Sequence, residues 1–220
     1  SIEASKYGAS LSNISVINSP IDIDHLKNIK ITPLKKNKTF KFISVGRSHW
    51  KKGYHYSLHA FKKVILDRHN VTYEIILSNS PSEELLFLTN DLGLTDKVIF
   101  SEPISQKNIY KKIKSSNCLI LPSVEEGIAN VVFESMALST PVITSDCGGM
   151  LEIITNNRNG LVFKSRDIKD LSKNMIKIIN MNRINREKMI TNAFNYVSKN
   201  NNFFLIGSKM KKLYLNVIDE

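Results

Sequence analysis

Six short apolar runs alternating with helical patterns constrain what this chain can fold into more than any other feature. The runs are Phe40–Val45, Thr72–Leu77, Lys97–Phe100, Cys118–Leu121, Pro141–Thr144 and Gly160–Phe163. Several are apolar at odd and even positions alike, as strands covered on both faces must be. Between and after them, helices are predicted at Tyr54–Arg68, Ser82–Asp91, Gln106–Ser115, Asn130–Leu138, Gly149–Thr155 and Asp167–Met181. In the first of these, Tyr54, Leu58, Phe61, Ile65 and Leu66 approximate a helical stripe, while Ser82-Glu83-Glu84 and Asp167 mark helix starts. Strand–helix–strand repetition predicts an α/β fold: a parallel, doubly wound sheet with helices on both faces and ligands at the carboxyl ends of the strands.

The two ends read differently. After Met181, Ile184–Lys199 and Phe203–Ile218 look like two more helices with no strand between them. At the other end, a short helix-like start leads into Ile14-Ser15-Val16-Ile17 and the turn-rich Asn18-Ser19-Pro20-Ile21-Asp22, expected to be a linker entering the domain. The opening Ser1-Ile2-Glu3-Ala4-Ser5 has neither an initiator Met nor a signal-peptide core and reads as a cut inside a longer protein. No stretch approaches the roughly 20 apolar residues that cross a bilayer. Cys118 and Cys147 lie far apart, in or beside apolar runs, and are read as reduced thiols of a cytoplasmic protein. The net charge of +11 is spread along the chain. Lys/Asn compositional bias, a polyanionic ligand and an anionic membrane face would each account for it.

The chemistry concentrates in two loops. Pro122-Ser123-Val124-Glu125-Glu126-Gly127-Ile128-Ala129-Asn130 follows a predicted strand and opens a helix. Gly127 is expected to let the backbone turn tightly, and the N–H groups at the helix start lack intrahelical partners, which favours phosphate. Glu134, about one turn in, can accept hydrogen bonds from a ribose diol. Glu126, at the loop's mouth, can bind sugar hydroxyls or steady positive charge at an anomeric carbon. The second loop, Gly46-Arg47-Ser48-His49-Trp50-Lys51-Lys52-Gly53, follows the first strand. Arg47 and Lys52 can converge on one diphosphate, the first as a fork and the second as a point charge, and so neutralise a departing nucleotide diphosphate without a metal.

In this ordered set the chain resembles the C-terminal domain of a GT-B glycosyltransferase of the large retaining family 4 (group 1) type. Arg47 and Lys52 match its Gly-Arg-x4-Lys element, and Glu126 and Glu134 its Glu-x7-Glu element. Glu134-Ser135-Met136-Ala137, Pro141-Val142-Ile143, Asp146-Cys147-Gly148-Gly149, Glu152 and Asn159-Gly160-Leu161 follow in family order. The resemblance implies a Rossmann-like domain over residues 25–200, preceded at 1–24 by the end of an acceptor domain and a hinge. A helix over 201–220 would cross back to that missing domain. It also implies roles: Arg47 and Lys52 on the donor's diphosphate, Glu134 on the ribose and Glu126 on the transferred sugar. Backbone of Gly127, Ile128, Ala129 and Asn130 would touch sugar and phosphate, Gly46 would line the donor site, and the chain near Ile104 would pack on the base. The implied reaction moves a hexose from a nucleotide-diphosphate sugar, expected to be UDP-linked, to a saccharide or lipid-linked glycan, with no metal or other cofactor. The implied place is the cytoplasm, at the inner face of the membrane where lipid-linked acceptors are used.

Three departures stand out. Ser78-Asn79-Ser80 replaces a common Gly-Asp-Gly, Ser139 replaces a frequent Gly and reads as a packing change, and Ile128-Ala129 replaces Phe-Gly. Trp50 is read as packing, His49 as a rim residue, and His25, His55, His59 and His69 as structural. Gly148-Gly149 reads equally as a turn and as part of the site. The acid pair Asp22 and Asp24 lies in the presumed hinge, before the first strand, and is not read as a metal site. Rival readings are a metal-independent UDP-sugar epimerase, which shares the architecture, and a non-catalytic nucleotide- or polyanion-binding domain. No nucleic-acid module is recognisable, so no nucleic-acid partner is expected.

Overall fold

The computed structural model describes residues 8, 14–31, 39–67 and 70–218. The expected acceptor-domain remnant before Ile14 (Gly8 apart) and His69 lie outside these residues. The first element, α1 (Ile23–Lys27), falls within the expected linker and its flank. Asp22 caps it, accepting from the His25 N–H at 2.9 Å, and Asp24 adds first-turn charge. Then come β1 (Phe40–Gly46), α2 (Tyr54–Asp67), β2 (Val71–Leu77), α3 (Glu83–Asp91), β3 (Val98–Ser101) and α4 (Gln106–Lys114). The chain continues through β4 (Cys118–Leu121), α5 (Asn130–Ala137), β5 (Val142–Ser145), α6 (Met150–Ile153), β6 (Leu161–Phe163), α7 (Ile168–Asn180), α8 (Arg183–Asn200) and α9 (Phe203–Ile218). Every predicted strand forms, with ends displaced by no more than one residue.

All strands pair in parallel, in the order β3-β2-β1-β4-β5-β6. The sheet separates two apolar cores. One holds Leu58, Phe61, Leu85, Leu171 and Met175 from α2, α3 and α7, and the other Leu26, Ile113, Val132, Phe133 and Ala193 from α1, α4, α5 and α8. Both sheet faces are thus covered, which explains the double-parity apolar pattern.

The strand order reverses between β1 and β4, and there the sheet opens. β1 pairs with β2 from Phe40↔Val71 to Gly46↔Leu77, yet with β4 only at Phe42↔Cys118 and Ile43↔Leu119. Past that point the buried Ser44 hydroxyl replaces the ladder, donating to the Ile120 carbonyl at 2.5 Å while lying 2.6 Å from the Tyr73 hydroxyl. Diverging strand ends at a topological switch point form the crevice where such sheets bind ligands.

Ile21 bridges to Asn202, its N–H donating to the Asn201 carbonyl at 2.6 Å and its carbonyl accepting from Phe203, so the entering segment is strapped to the start of α9. Ser139 has φ 61 and is exposed, so the residue that replaces a frequent glycine is a left-handed position, not the packing change read from sequence. Ser139→Gly is expected to stabilise the chain by about 0.5–1 kcal/mol, read as a raised urea midpoint at unchanged slope. No helix among the described residues is long and apolar enough to cross a membrane.

Candidate functional site

The β1 and β4 loops meet over the crevice. After Arg47, Ser48 and His49 the first loop makes a 3-10 turn, Trp50–Lys52, capped at its start by His49 Nδ1, which accepts from the Lys51 N–H. Gly53 ends the turn at φ 63, and a Cβ there would stand 2.1 Å from the Pro122 carbonyl oxygen. The glycine therefore lets this loop lie flat on the β4 loop. The contact continues where the Val124 N–H donates to the Lys51 carbonyl at 2.8 Å. Asn79 and Ser48 brace the other side: the Ser48 N–H donates to Asn79 Oδ1 at 2.7 Å, and the Ser82 N–H to Ser48 Oγ at 3.0 Å. The Ser78-Asn79-Ser80 departure thus supplies a buttress for the cation loop.

Between the loops lies a cleft of about 330 Å3 lined by Arg47, His49, Lys51, Lys52, Glu125, Glu126 and Gly127. Two ion pairs cross it. Lys52 Nζ meets Glu126 Oε2 at 2.5 Å with both side chains 18% exposed, and the more exposed Lys51 meets Glu125 at 2.8 Å. Ser123 adds a donor to the same Glu126 oxygen at 3.2 Å. Arg47, exposed, takes part in no ion pair among the described residues, so the lining carries one net positive charge. At the cleft's edge Ala129 precedes α5 and supplies no side-chain cap; the Val132 N–H turns back to the Ala129 carbonyl at 3.0 Å, which leaves the Asn130 and Val131 N–H groups open to an anion.

Gly127 does not do what its sequence context suggests. Its φ is not positive, and a Cβ there would meet nothing within 4 Å. The tight backbone belongs to Gly148, at φ 55, where a Cβ would fall 1.6 Å from the Glu126 carbonyl oxygen. Next to it the Gly149 N–H donates to the Gly127 carbonyl at 2.9 Å. Gly148-Gly149 therefore seats the Glu126–Ile128 loop from below, while the space over Gly127 stays open.

Glu134 does not line the cation cleft. It stands on α5 facing α4, where Gln106 Nε2 and the Tyr110 hydroxyl donate to its Oε1 at 3.1 and 3.2 Å. Burial pushes its carboxyl above the usual carboxylate range, and these two hydrogen bonds offset only part of the shift. The same helix lends Ile109 to a small apolar depression of about 110 Å3, shared with Val45, Gly46, Leu77 and Ile104. The two hollows meet at the end of β1, where Gly46 lines one and Arg47 the other. Ile128, partly exposed, Ala129 and Asn130 make the bridge from Gly127 into α5. Ser123, Gln106 and Tyr110 have no site role in the sequence reading, since nothing in their local context distinguishes them from surface polar residues, and Asn79 enters it only within the Ser78-Asn79-Ser80 departure. Trp50, read as packing, is instead 58% exposed.

A raised Glu134 pKa has a definite consequence for the fold. The charged form is the one the folded state disfavours, so this group's contribution is fully present below the ordinary carboxylate pKa and is lost as pH rises through the raised one. Glu134→Gln removes a group that ionises. It is expected to be more stable than the parent at neutral pH, with the advantage vanishing near pH 4, as urea melts at the two pH values would show.

Among the described residues no three or more His, Cys, Asp or Glu side chains group so as to hold a metal ion. Both cysteines are free and buried.

Comparison with known proteins agrees with this architecture. The family model for glycosyl transferases group 1 matches residues 27–196. The capsular polysaccharide biosynthesis glycosyltransferase CapM of Staphylococcus aureus is 29% identical over 189 residues, covering 84% of this chain and 48% of CapM. The O-antigen chain mannosyltransferase RfbU of Salmonella typhimurium is 33% identical over 158 residues, covering 70% of this chain and 41% of RfbU. This chain thus spans less than half the length of either relative. Among solved structures, Anabaena HepE in complex with UDP superimposes with a TM-score of 0.84 at 17% identity, over 96% of this chain and 60% of that one. With the family model matching most of its length, this chain belongs to the glycosyl transferases group 1 family.

Proposed function

We propose that this chain is the donor-binding half of a retaining, metal-independent glycosyltransferase that moves a hexose from a UDP-sugar to a saccharide or lipid-linked glycan. The observation that carries the reading is the shared cleft: Arg47, Lys52 and Glu126 face one another at the switch point, with the uncapped start of α5 at its edge. When the bond between the anomeric carbon and the diphosphate oxygen breaks, negative charge grows on the departing diphosphate and positive charge on the sugar. Arg47 and Lys52 stabilise the first, together with the N–H groups of α5, and Glu126 steadies the second while holding the sugar. In the free protein Lys52 and Glu126 neutralise each other. The incoming diphosphate draws Lys52 away, and Glu126 is released toward sugar hydroxyls.

The ribose then falls to Glu134 and the base to the apolar depression at Gly46 and Ile104, one strand end away. HepE is a fold neighbour described with UDP, which favours uridine over guanosine. CapM and RfbU carry names from capsule and O-antigen synthesis, so a surface polysaccharide is the favoured product class. The acceptor would sit on a second domain, joined through the strapped pair of Ile21 and Asn202, where both covalent connections would leave the domain together. The basic, apolar-faced α9 would reach that domain, and the whole enzyme would work in the cytoplasm against the membrane's inner face.

Calorimetry of this chain with UDP and with GDP tests the reading. Weak, saturable UDP binding is expected, with GDP weaker, and Arg47→Ala should reduce the UDP affinity at least tenfold (about 1.4 kcal/mol). A folded sample indifferent to both nucleotides would overturn it.

A further inference from the structure

A second pocket, of about 320 Å3, adjoins the cation cleft, and His49 lines both. Trp50, Tyr54, His55, Ser48 and Glu84 form most of its wall, drawn from the cation loop and the starts of α2 and α3. Trp50 is the chain's single tryptophan. Among the described residues its ring neighbours are the His49 ring, with centroids 5.8 Å apart, and the Lys51 ammonium, and the indole stays more than half in water, giving up the large apolar burial that such a ring offers.

The remaining groups restrict what the ring can contact. Glu84 makes no ion pair among the described residues and would repel an anion. A cation has no call on the indole face, because the Lys51 ammonium already stands 5.7 Å from the ring centroid. His55 packs against Tyr56 with ring centroids 4.0 Å apart and the planes tilted by 43°. Burial lowers its pKa, with His59 and Arg166 acting in the same direction against Glu84, which favours the neutral imidazole with its one donor and one acceptor. An apolar face, a neutral imidazole, a free carboxylate and hydroxyls suit a neutral ring with a C–H face and a rim of hydroxyl groups.

We infer that this pocket is a saccharide subsite, in which a pyranose ring stacks on Trp50 with its hydroxyls on Glu84 and His55. Its place in the reaction rests on the function proposed above: beside the donor cleft, it would hold a sugar of the acceptor glycan. The acceptor would then be gripped partly by this half of the enzyme, and residues of the cation loop would contribute to acceptor choice.

A single indole makes the test direct. Trp50 emission is followed while this chain is titrated with neutral methyl hexopyranosides of gluco, manno and galacto configuration and with their disaccharides, with and without saturating UDP. At least one sugar is expected to give a saturable change in the millimolar range that persists with UDP bound. Glu84→Gln and His55→Ala, each checked for an unaltered melting curve, should weaken it about tenfold. Trp50→Phe, followed by saturation-transfer NMR, should abolish sugar contact and retain UDP binding by calorimetry. A flat response to the whole panel overturns the subsite, as does a response unchanged in both pocket variants. A sugar response without UDP binding supports the subsite and overturns the donor reading, so the two failures are distinguishable.

Discussion

Lys52→Ala in the complete transferase is expected to lower kcat by about 10²–10³-fold, the usual cost of removing one preorganised charge from a developing anion. The Lys52 ammonium is in place before the donor arrives, held at 2.5 Å by Glu126 and backed by a loop braced through Asn79 and Pro122. That pairing also makes a simple alanine variant ambiguous. Removing the cation leaves Glu126, only 18% exposed, without its partner, and uncompensated carboxylates of this kind destabilise a fold. The double variant Lys52→Met/Glu126→Gln separates the two effects. It removes both charges together and should keep a melting temperature close to that of the parent. It should also lose UDP affinity and turnover as fully as Lys52→Ala. A double variant that recovers turnover along with stability would show that Lys52 matters only as Glu126's counter-ion. Lys52→Arg is expected to recover little, since a planar fork on a different stem does not place its charge where the ammonium stands.

What was legible in the sequence and what was not divide along physical lines. The strands were legible because Cys118–Leu121 and Val142–Ser145 are covered on both faces, and a buried parallel strand has no polar parity to confuse the pattern. Arg47, Lys52 and Glu126 were legible as a group because each lies just past the carboxyl end of a strand, where topology brings loops together whatever their separation in sequence. Elements set by long-range contact were not. α1 is a five-residue helix behind Pro20, too short for periodicity, and its place depends on burying Ile23 and Leu26. Ser139 looked like a packing change because the sign of φ leaves no trace in residue type unless glycine marks it. The partners of Glu134 sit on a different helix, and the sequence places Gln106 and Tyr110 on α4 without saying which way that helix faces. The tight backbone expected at Gly127 belongs to Gly148, because the close approach of two loops more than 20 residues apart leaves no local signal in the sequence.

That last exchange leads to the sharpest contrast among the glycines. Gly148→Ala is expected to cost about 3 kcal/mol or more, since the new methyl would lie 1.6 Å from the Glu126 carbonyl oxygen at a φ that alanine disfavours by itself. The obstructing atom is backbone, so it cannot swing aside as a side-chain end would. Relief must come from displacing the Glu126–Ile128 loop, and UDP affinity should fall along with stability. Gly127→Ala should do the opposite. Its Cβ meets nothing within 4 Å and its φ is not positive, so denaturant stability should stay within about 0.5 kcal/mol of the parent. The open space above Gly127 is where the donor's sugar and diphosphate would approach the backbone, so a methyl there should weaken nucleotide-sugar binding at least tenfold while UDP, lacking the sugar, suffers less. Urea melts and calorimetry on the two variants decide the matter. Equal loss of UDP and UDP-sugar affinity in Gly127→Ala, or none, would place the sugar elsewhere than over this loop.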